Sequence, residues 1–259
     1  MTQWLTLFRK EMSEYWRNLK WIWVPLVIIL LAIMDPITSY YLPQIIELSG
    51  DLPEGSTFDL PTPSPPEAIM MSLSQLSSLG ALILILISMG SISGEQQTGI
   101  TEMILVKPVS FANYVLAKWA ALVLLIWVSL ILGILASWYY TNILFGSLSF
   151  ISFIQIVCFY GLWLTLVATI SIFYNTLVKS PGFVAFLTIS TLMVMSIITQ
   201  LFGSHLKWSP NNLSNHINEM LIFNEVSISL IATALVTLCL IVILLIGSFS
   251  IFKTKELGK

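Results

Sequence analysis

Long apolar runs separated by short polar segments dominate the chain. Six of these runs reach the roughly 20 residues that a helix needs to cross a bilayer. They predict spans at residues 21–42, 68–92, 114–140, 148–174, 183–202 and 226–252. The pattern is typical of an all-α integral membrane protein, with one transmembrane domain over residues 1–259 and six transmembrane helices.

The first twenty residues follow a different pattern. At about 100° per residue, one helical face collects Trp4, Leu5, Phe8, Met12, Tyr15, Trp16 and Leu19. The opposite face collects Arg9, Lys10, Glu14, Arg17 and Lys20. Large aromatic residues opposite a basic face are typical of a helix lying in the membrane interface. The alternative is an amphipathic helix on a soluble core, but no such core is encoded nearby. We therefore predict an interfacial helix over 1–20, with Trp4, Phe8, Met12 and Trp16 as its membrane contacts.

Composition supports a membrane protein and excludes other classes. The chain is 57% hydrophobic and only 9% charged, whereas soluble domains carry about 25% charged residues. A formal net charge of −2 gives no reason to expect nucleic acid as a partner. Cys158 and Cys239 lie in apolar runs without metal-binding spacing, and we expect them to be small buried residues.

The distribution of basic residues predicts the topology. A six-span arrangement places ten of the eleven Lys and Arg residues on one side, with Lys207 alone opposite. The positive-inside rule makes that side, with both termini, cytoplasmic. Residues 48–67 and 203–220 are then extracytoplasmic loops, and the second is long enough for a short helix. Lys118, in the first turn of the third span, is expected to snorkel to the interface.

Few ionisable residues lie away from the predicted membrane surfaces. Asp35 precedes Pro36 in the first span, where proline removes a helical hydrogen bond. Two interpretations stay open: a kink near the exit with Asp35 facing water or protein, or a residue lining a substrate path. His205 and His216 fall in the last external loop, where exposed loop histidines are expected and a metal or pH site is the alternative. We predict no metal site.

A polar segment over residues 94–110 interrupts the apolar pattern between the second and third spans. Gly99 and Pro108 bound one short helix, ITEMILVK. Its apolar residues lie outside every predicted span: Ile100, Met103, Ile104 and Leu105. Grouped exposed apolar residues indicate a contact surface, and Met suits a partner that moves. The residues alone leave open whether this helix contacts a partner or the protein's own membrane base.

The motif E-x-x-x-G-x-x-E-x-x-L-x-x-P-V-S, with a Lys soon after, resembles the coupling segment of type-2, export-like ATP-binding cassette (ABC) transporter permeases. Its positions here are Glu95, Gly99, Glu102, Leu105, Pro108, Val109, Ser110 and Lys118. The whole-chain architecture is similar to that family as well. The sequence departs from the family pattern at Gln96, Gln97 and Phe111, which affects the polar contacts to a partner.

The resemblance implies a mechanism and a set of partners. Two permease copies, identical or different, would each dock on a separate ATPase subunit, so the complex would hold two ATPases. Docking would use Glu95, Gly99, Glu102, Met103, Leu105 and Pro108. ATP and Mg²⁺ would bind the ATPases, with no cofactor on this chain. The complex would export an amphiphilic, lipid-like or peptide substrate across the plasma membrane.

This chain does not encode an ATPase of its own. A P-loop requires Gly-Lys followed by Ser or Thr, and the only Gly-Lys pair ends the chain at Lys259. An intramembrane metalloprotease is also excluded, because the two histidines are not at HExxH spacing. Two alternatives stay open: a secondary transporter without an ATPase, and an ABC complex serving peptide sensing or immunity. A P-loop protein bound to this chain would separate the first alternative from the ABC family.

Overall fold

The computed structural model describes residues 3–49, 62–99, 110–203 and 206–257, and every regular element in those ranges is helical. The α-helices are α1 Gln3–Arg17, α2 Lys20–Ser49, α3 Pro65–Gln75, α4 Ala81–Ser88, α5 Ser93–Gln97, α6 Phe111–Leu144, α7 Phe150–Leu177, α8 Pro181–Leu201, α9 Leu213–Phe223 and α10 Ile228–Leu257. A π-helical segment, Leu76–Gly80, joins α3 to α4, and a 3₁₀ turn, Pro210–Asn212, precedes α9.

Six helical segments in the described ranges are long and apolar enough to span a membrane. They are Lys20–Ile46, Pro65–Gln97, Phe111–Leu144, Phe150–Leu177, Pro181–Leu201 and Ile228–Thr254. The predicted all-α class and the six spans are therefore confirmed. The first three spans extend beyond both predicted ends, because helical hydrogen bonding continues into polar residues that a hydropathy pattern excludes. The other three are displaced from the predicted ends by one to three residues.

The second span shows how local sequence determines its helix. Ser64 and Glu67 form a capping box, in which the Ser64 backbone N–H donates to Glu67 Oε2 at 2.7 Å. Pro65 occupies the first helical turn, where no backbone N–H is needed. The π-helical segment then inserts one wider turn, which rotates the serines beside it relative to the rest of the span.

The fourth span lies at the centre of the bundle. Buried residues make up 78% of its most apolar stretch, compared with 22% in the fifth span and 28% in the sixth. Glycine permits two close crossings around this centre. A Cβ at Gly133 would lie 2.8 Å from Ile28 Cγ2, and one at Gly161 would lie 2.9 Å from the ring of Trp127. Small residues at such contacts let helix backbones approach closely.

Side-chain hydrogen bonds join the spans inside this apolar bundle. Ser72 Oγ donates to the Ala32 carbonyl at 2.6 Å and lies 2.7 Å from Ser137 Oγ, which ties the first three spans together. Trp119 and Trp127 donate from the third span to threonines of the fourth, at 2.9 and 3.0 Å. Such bonds average about 0.6 kcal/mol each in membrane proteins, so together they help to fix one arrangement of helices.

Two sequence predictions about single residues are wrong. Cys158 and Cys239 are exposed on the outer surface of the bundle, because lipid accepts apolar side chains there and apolar neighbours do not imply burial. His216 is buried instead of exposed. Its Nε2 lies 3.0 Å from the Lys207 carbonyl and its Nδ1 lies 3.1 Å from Glu219 Oε2. His205 lies outside the described residues.

Candidate functional site

One end of the bundle gathers elements that are far apart in the sequence. Here α1 packs against the start of the third span. Phe252, near the end of the sixth span, stacks on Tyr114 with ring centroids 5.7 Å apart and contacts Phe111 edge-on at 5.8 Å. We call this the α1 end, and the opposite one the far end. The first and last described helices therefore meet at the same end, as an even number of spans requires.

A network of charges, largely buried except at Lys10, lies at the α1 end. We call it the α1-end cluster: Lys10, Glu11, Glu95, Tyr114 and Lys118. Lys118 Nζ lies 2.9 Å from Glu11 Oε1 and 3.1 Å from Glu95 Oε1. Lys10 contacts both carboxylates, and the Tyr114 hydroxyl donates to Glu95 Oε2. The cluster thereby joins α1, the end of the second span and the start of the third.

The cluster is held in a poorly solvated environment. Lys118 is 2% exposed and Glu11 is 3% exposed. Burial by itself lowers the pKa of Lys10, but the hydrogen bond to Glu95 and the charge of Glu11 outweigh it and raise that pKa. Burial, with the charge of Glu11, raises the pKa of Tyr15, so this phenol stays protonated. Buried charges are tolerated where each has a partner of opposite sign.

The prediction that Lys118 snorkels to the interface is wrong. Its side chain is 2% exposed, and its ammonium is enclosed by the carboxylates of Glu11 and Glu95, both within 3.1 Å. The helical pattern of α1 did not identify Glu11 as a contact residue, because its partner, Lys118, lies 107 residues further along the chain. A lone glutamate between apolar positions of an amphipathic helix is the signal that could have indicated this contact.

The predicted interfacial residues of α1 have different surroundings. Trp4 stacks on Phe8 with centroids 5.2 Å apart. Phe8 and Met12 pack partly against the core, whereas Trp16 is 66% exposed. The face of α1 that is fully buried carries Glu11 and Tyr15. Contact of α1 with lipid stays a prediction.

The structure describes the start and the end of the predicted coupling segment. Glu95 lies in α5, and Gly99 has φ +74°, a left-handed conformation that favours glycine just after a helix end. The remaining predicted coupling residues lie outside the described residues: Glu102, Met103, Leu105 and Pro108. Among the predicted coupling residues, Glu95 therefore belongs to the α1-end cluster.

Asn175 is a residue of this site that the sequence analysis missed. The predicted fourth span ends at residue 174 and leaves it outside, but it lies in α7 and is fully buried. Its Oδ1 accepts from the backbone N–H groups of Ile92 and Ser93, at 3.2 and 3.1 Å. Its Nδ2 donates to the carbonyls of Ser88 and Ser171, at 3.0 and 2.9 Å. One side chain thus supports the turn from which α5 begins.

A large groove opens between the second, fourth and fifth spans and the segment that leads into α9. Its volume is about 670 Å³, and its lining carries hydroxyl and amide groups but no charged side chain: Met70, Ser74, Ser77, Ser78, Trp163, Leu192, Met193, Ser196, Pro210, Asn211, Ser214 and Asn215. The groove reaches from the far end to Trp163, near the middle of the fourth span. Asp35 is half-buried and does not line it, so its predicted role on a substrate path stays a prediction.

These features define a multi-pass helical membrane protein. The description "ABC-2 family transporter protein" matches residues 5–257. The chain therefore belongs to the ABC-2 transporter family, whose members are membrane components of transporters, and the predicted resemblance is confirmed. The chain is also similar to the "Uncharacterized transmembrane protein YxlG" of Bacillus subtilis (strain 168), with 30% identity over 252 residues that cover 97% of each chain.

Proposed function

We propose that this chain is the permease subunit of an ATP-driven exporter and that a separate ATPase docks on its 94–110 segment. The α1 end would face the cytoplasm and the far end the outside, across the plasma membrane. Family membership supports an ATPase partner in general. The basic residues support the orientation: those in described positions lie at the α1 end except Lys207, which lies in the loop before α9.

The α1-end cluster is the observation that carries this proposal. It fixes Glu95, the first predicted coupling residue, to Lys118 of the third span and Lys10 of α1. Asn175 fixes the preceding turn to the fourth span. A force on the 94–110 segment would therefore move several spans together. Such rigid connection is what converts closure of an ATPase pair into rearrangement of a membrane domain.

Pairing of two permease copies is supported by the fifth span. Its outer face exposes Phe183, Phe186, Ile189, Met193, Val194, Ile197, Ile198 and Leu201. This face borders the neutral groove through Met193. In the proposed dimer the groove would form part of the export path. Hydroxyl and amide groups at membrane depth favour an amphiphile whose polar part forms hydrogen bonds without carrying a fixed charge.

A secondary transporter is the main alternative that the test must separate. Coupling to protons or sodium ions usually needs ionisable residues near the membrane midplane. Within the described parts of the spans, Asp35 is the one carboxylate that lies away from both ends. The neutral groove offers no second one. A complex that serves peptide sensing or immunity would share the ATPase and differ only in its substrate.

The proposal is tested by purifying the chain from its native membrane in mild detergent and identifying the proteins bound to it. We expect a soluble P-loop protein in stoichiometric amount. Leu105→Asp should abolish its recovery while the permease still inserts, because the change places a charge in the predicted apolar contact. The matched control is Val226→Asp, the same kind of change in an exposed position beside the far end. A wild-type chain that purifies alone would refute the ATPase partner, and equal recovery with both variants would refute docking through Leu105.

A further inference from the structure

A second cavity lies at the α1 end, apart from the neutral groove. It has a volume of about 220 Å³, equivalent to roughly seven water molecules of liquid. Three elements line it: α1, the first residue of the first span and the end of the second span. The lining residues are Glu11, Glu14, Tyr15, Lys20, Leu86, Ile87, Met89, Gly90 and Ser91.

Two opposite charges in this cavity are weakly paired. Lys20 forms no ion pair with a carboxylate in the described residues, and its ammonium lies 4.8 Å from the centre of the Tyr15 ring. Glu14 has one distant partner, Lys10, at 3.9 Å. Glu11, in contrast, already contacts two lysines. The cavity therefore presents one cation and one anion that could each accept a further partner.

The wall of the cavity formed by the second span provides an unused hydroxyl. Ser91 Oγ is buried and has no hydrogen-bond partner among the described residues. Beside it, a Cβ on Gly90 would meet nothing within 4 Å, so the backbone there borders open space. A buried hydroxyl without a partner is unfavourable, and a polar occupant of the cavity would supply the missing hydrogen bond.

The chain turn next to the cavity is strained and faces outward. Leu19 has φ +55°, a conformation that is uncommon for residues other than glycine. This turn brings Lys20 back over Tyr15. We call the exposed apolar side chains on or next to the lining residues the apolar rim. Leu86, which lines the cavity, is 51% exposed, and Trp16 and Leu19, next in sequence to Tyr15 and Lys20, are 66% and 58% exposed. In a membrane protein, such a rim places the cavity beside the lipid at the α1 end.

Charge balance decides which ligand suits the cavity. The carboxylates of Glu11, Glu14 and Glu95 lie close enough together to suggest a metal ion. However, Lys10 and Lys118 already contact the Glu11 and Glu95 oxygens at 3.2 Å or less, which leaves only Glu14 with a distant partner. With Lys20, the three carboxylates face three ammonium groups, so neither a lone cation nor a lone anion is favoured. A small group that carries both charges fits the arrangement.

We propose that this cavity binds the headgroup of a zwitterionic phospholipid that has a primary ammonium, of the phosphoethanolamine class. The phosphate would lie beside Lys20 and the Ser91 hydroxyl, and the ammonium beside Glu14. The acyl chains would follow the apolar rim of Trp16 and Leu86. This inference requires only that the chain spans a membrane and is independent of the ATPase partner.

The test is lipid binding to the full chain after delipidation in detergent, measured by native mass spectrometry. Phosphatidylethanolamine should bind more tightly than phosphatidylcholine or phosphatidylglycerol with the same acyl chains, because the other headgroups lack the ammonium hydrogens or the positive charge. Lys20→Gln and Glu14→Gln should each weaken its binding by about tenfold or more, as expected for loss of a charged hydrogen bond. Arg17→Gln, which changes an exposed residue outside the cavity, should leave binding unchanged.

One further variant and a competition experiment complete the test. Ser91→Ala removes only a hydroxyl and should weaken binding several-fold even if the charge variants fold poorly. Inorganic phosphate should not compete with the lipid, and effective competition would identify an anion site instead. Equal binding of the three lipids, or full binding by folded Lys20→Gln or Ser91→Ala, would overturn the proposal.

Discussion

Removing the ammonium of Lys118 provides the sharpest test of the α1-end cluster. In Lys118→Met, a side chain of similar length keeps the packing but leaves Glu11 and Glu95 with Lys10 as their remaining ammonium partner. At 2.9 Å and an effective dielectric constant of about 20, the direct attraction to Glu11 is about 6 kcal/mol. Desolvation of the buried ions offsets much of this attraction. Deletion of one partner of a buried pair nevertheless costs about 3–5 kcal/mol.

The assay is thermal unfolding of the purified chain in detergent. For a chain of this size, 1 kcal/mol corresponds to about 2–4 °C, so Lys118→Met should lower the apparent melting temperature by about 6–20 °C. Glu11→Gln in the same chain should restore part of the loss, with a coupling energy of about 0.5–3 kcal/mol. Lys179→Met serves as the matched control, because Lys179 is exposed in the link before the fifth span. Equal shifts for Lys118→Met and Lys179→Met, or additive effects of the Lys118 and Glu11 changes, would contradict a stabilising contact between Lys118 and Glu11.

Three further predictions address the neighbouring structure. Asn175→Ala leaves two backbone N–H groups without their partner, so hydrogen exchange over residues 89–99 should rise and stability should fall by about 1–3 kcal/mol per unsatisfied group; unchanged exchange would contradict its supporting role. Gly133→Ala places a methyl group 2.8 Å from Ile28 and should cost about 1–3 kcal/mol in thermal unfolding, whereas Gly182→Ala, with open space around it, should cost far less. The pKa of Lys10 is raised in the folded state. The stability that its charge contributes is therefore complete below its ordinary pKa of 10.5 and is lost as the pH rises through the folded-state pKa. The stability difference between wild type and Lys10→Met should therefore be constant below that pH and shrink above it, and a difference that grows with pH would contradict the assignment.

The sequence was sufficient for the six spans because each span is a long apolar run with its own start and stop signals. Ser64 and Pro65, for example, fix the start of the second span by purely local chemistry. Membership in the family could also be predicted, since Glu95 and its neighbours form a local motif. Both features depend on residues that are close together along the chain.

Features that depend on distant residues were not predictable in this way. Lys118 meets Glu11 only because α1 folds back onto the third span, and no periodicity encodes that pairing. Burial of Asn175 likewise follows from the contact between the fourth span and the turn that ends the second. For Cys158 the error is in the other direction, because the sequence predicted burial and the residue is exposed. In lipid, hydropathy does not distinguish the inner from the outer face of a span.

Cross-linking from the coupling segment is the direct test of whether an ATPase docks there. Leu105 would be replaced by a photoreactive phenylalanine derivative in the full chain, with Val226 replaced in a parallel control, and both would be irradiated in native membranes. We expect position 105 to form a cross-link to a protein with a P-loop and position 226 to form none. A position 105 that cross-links only to lipid or to this chain itself would contradict docking of an ATPase on the 94–110 segment.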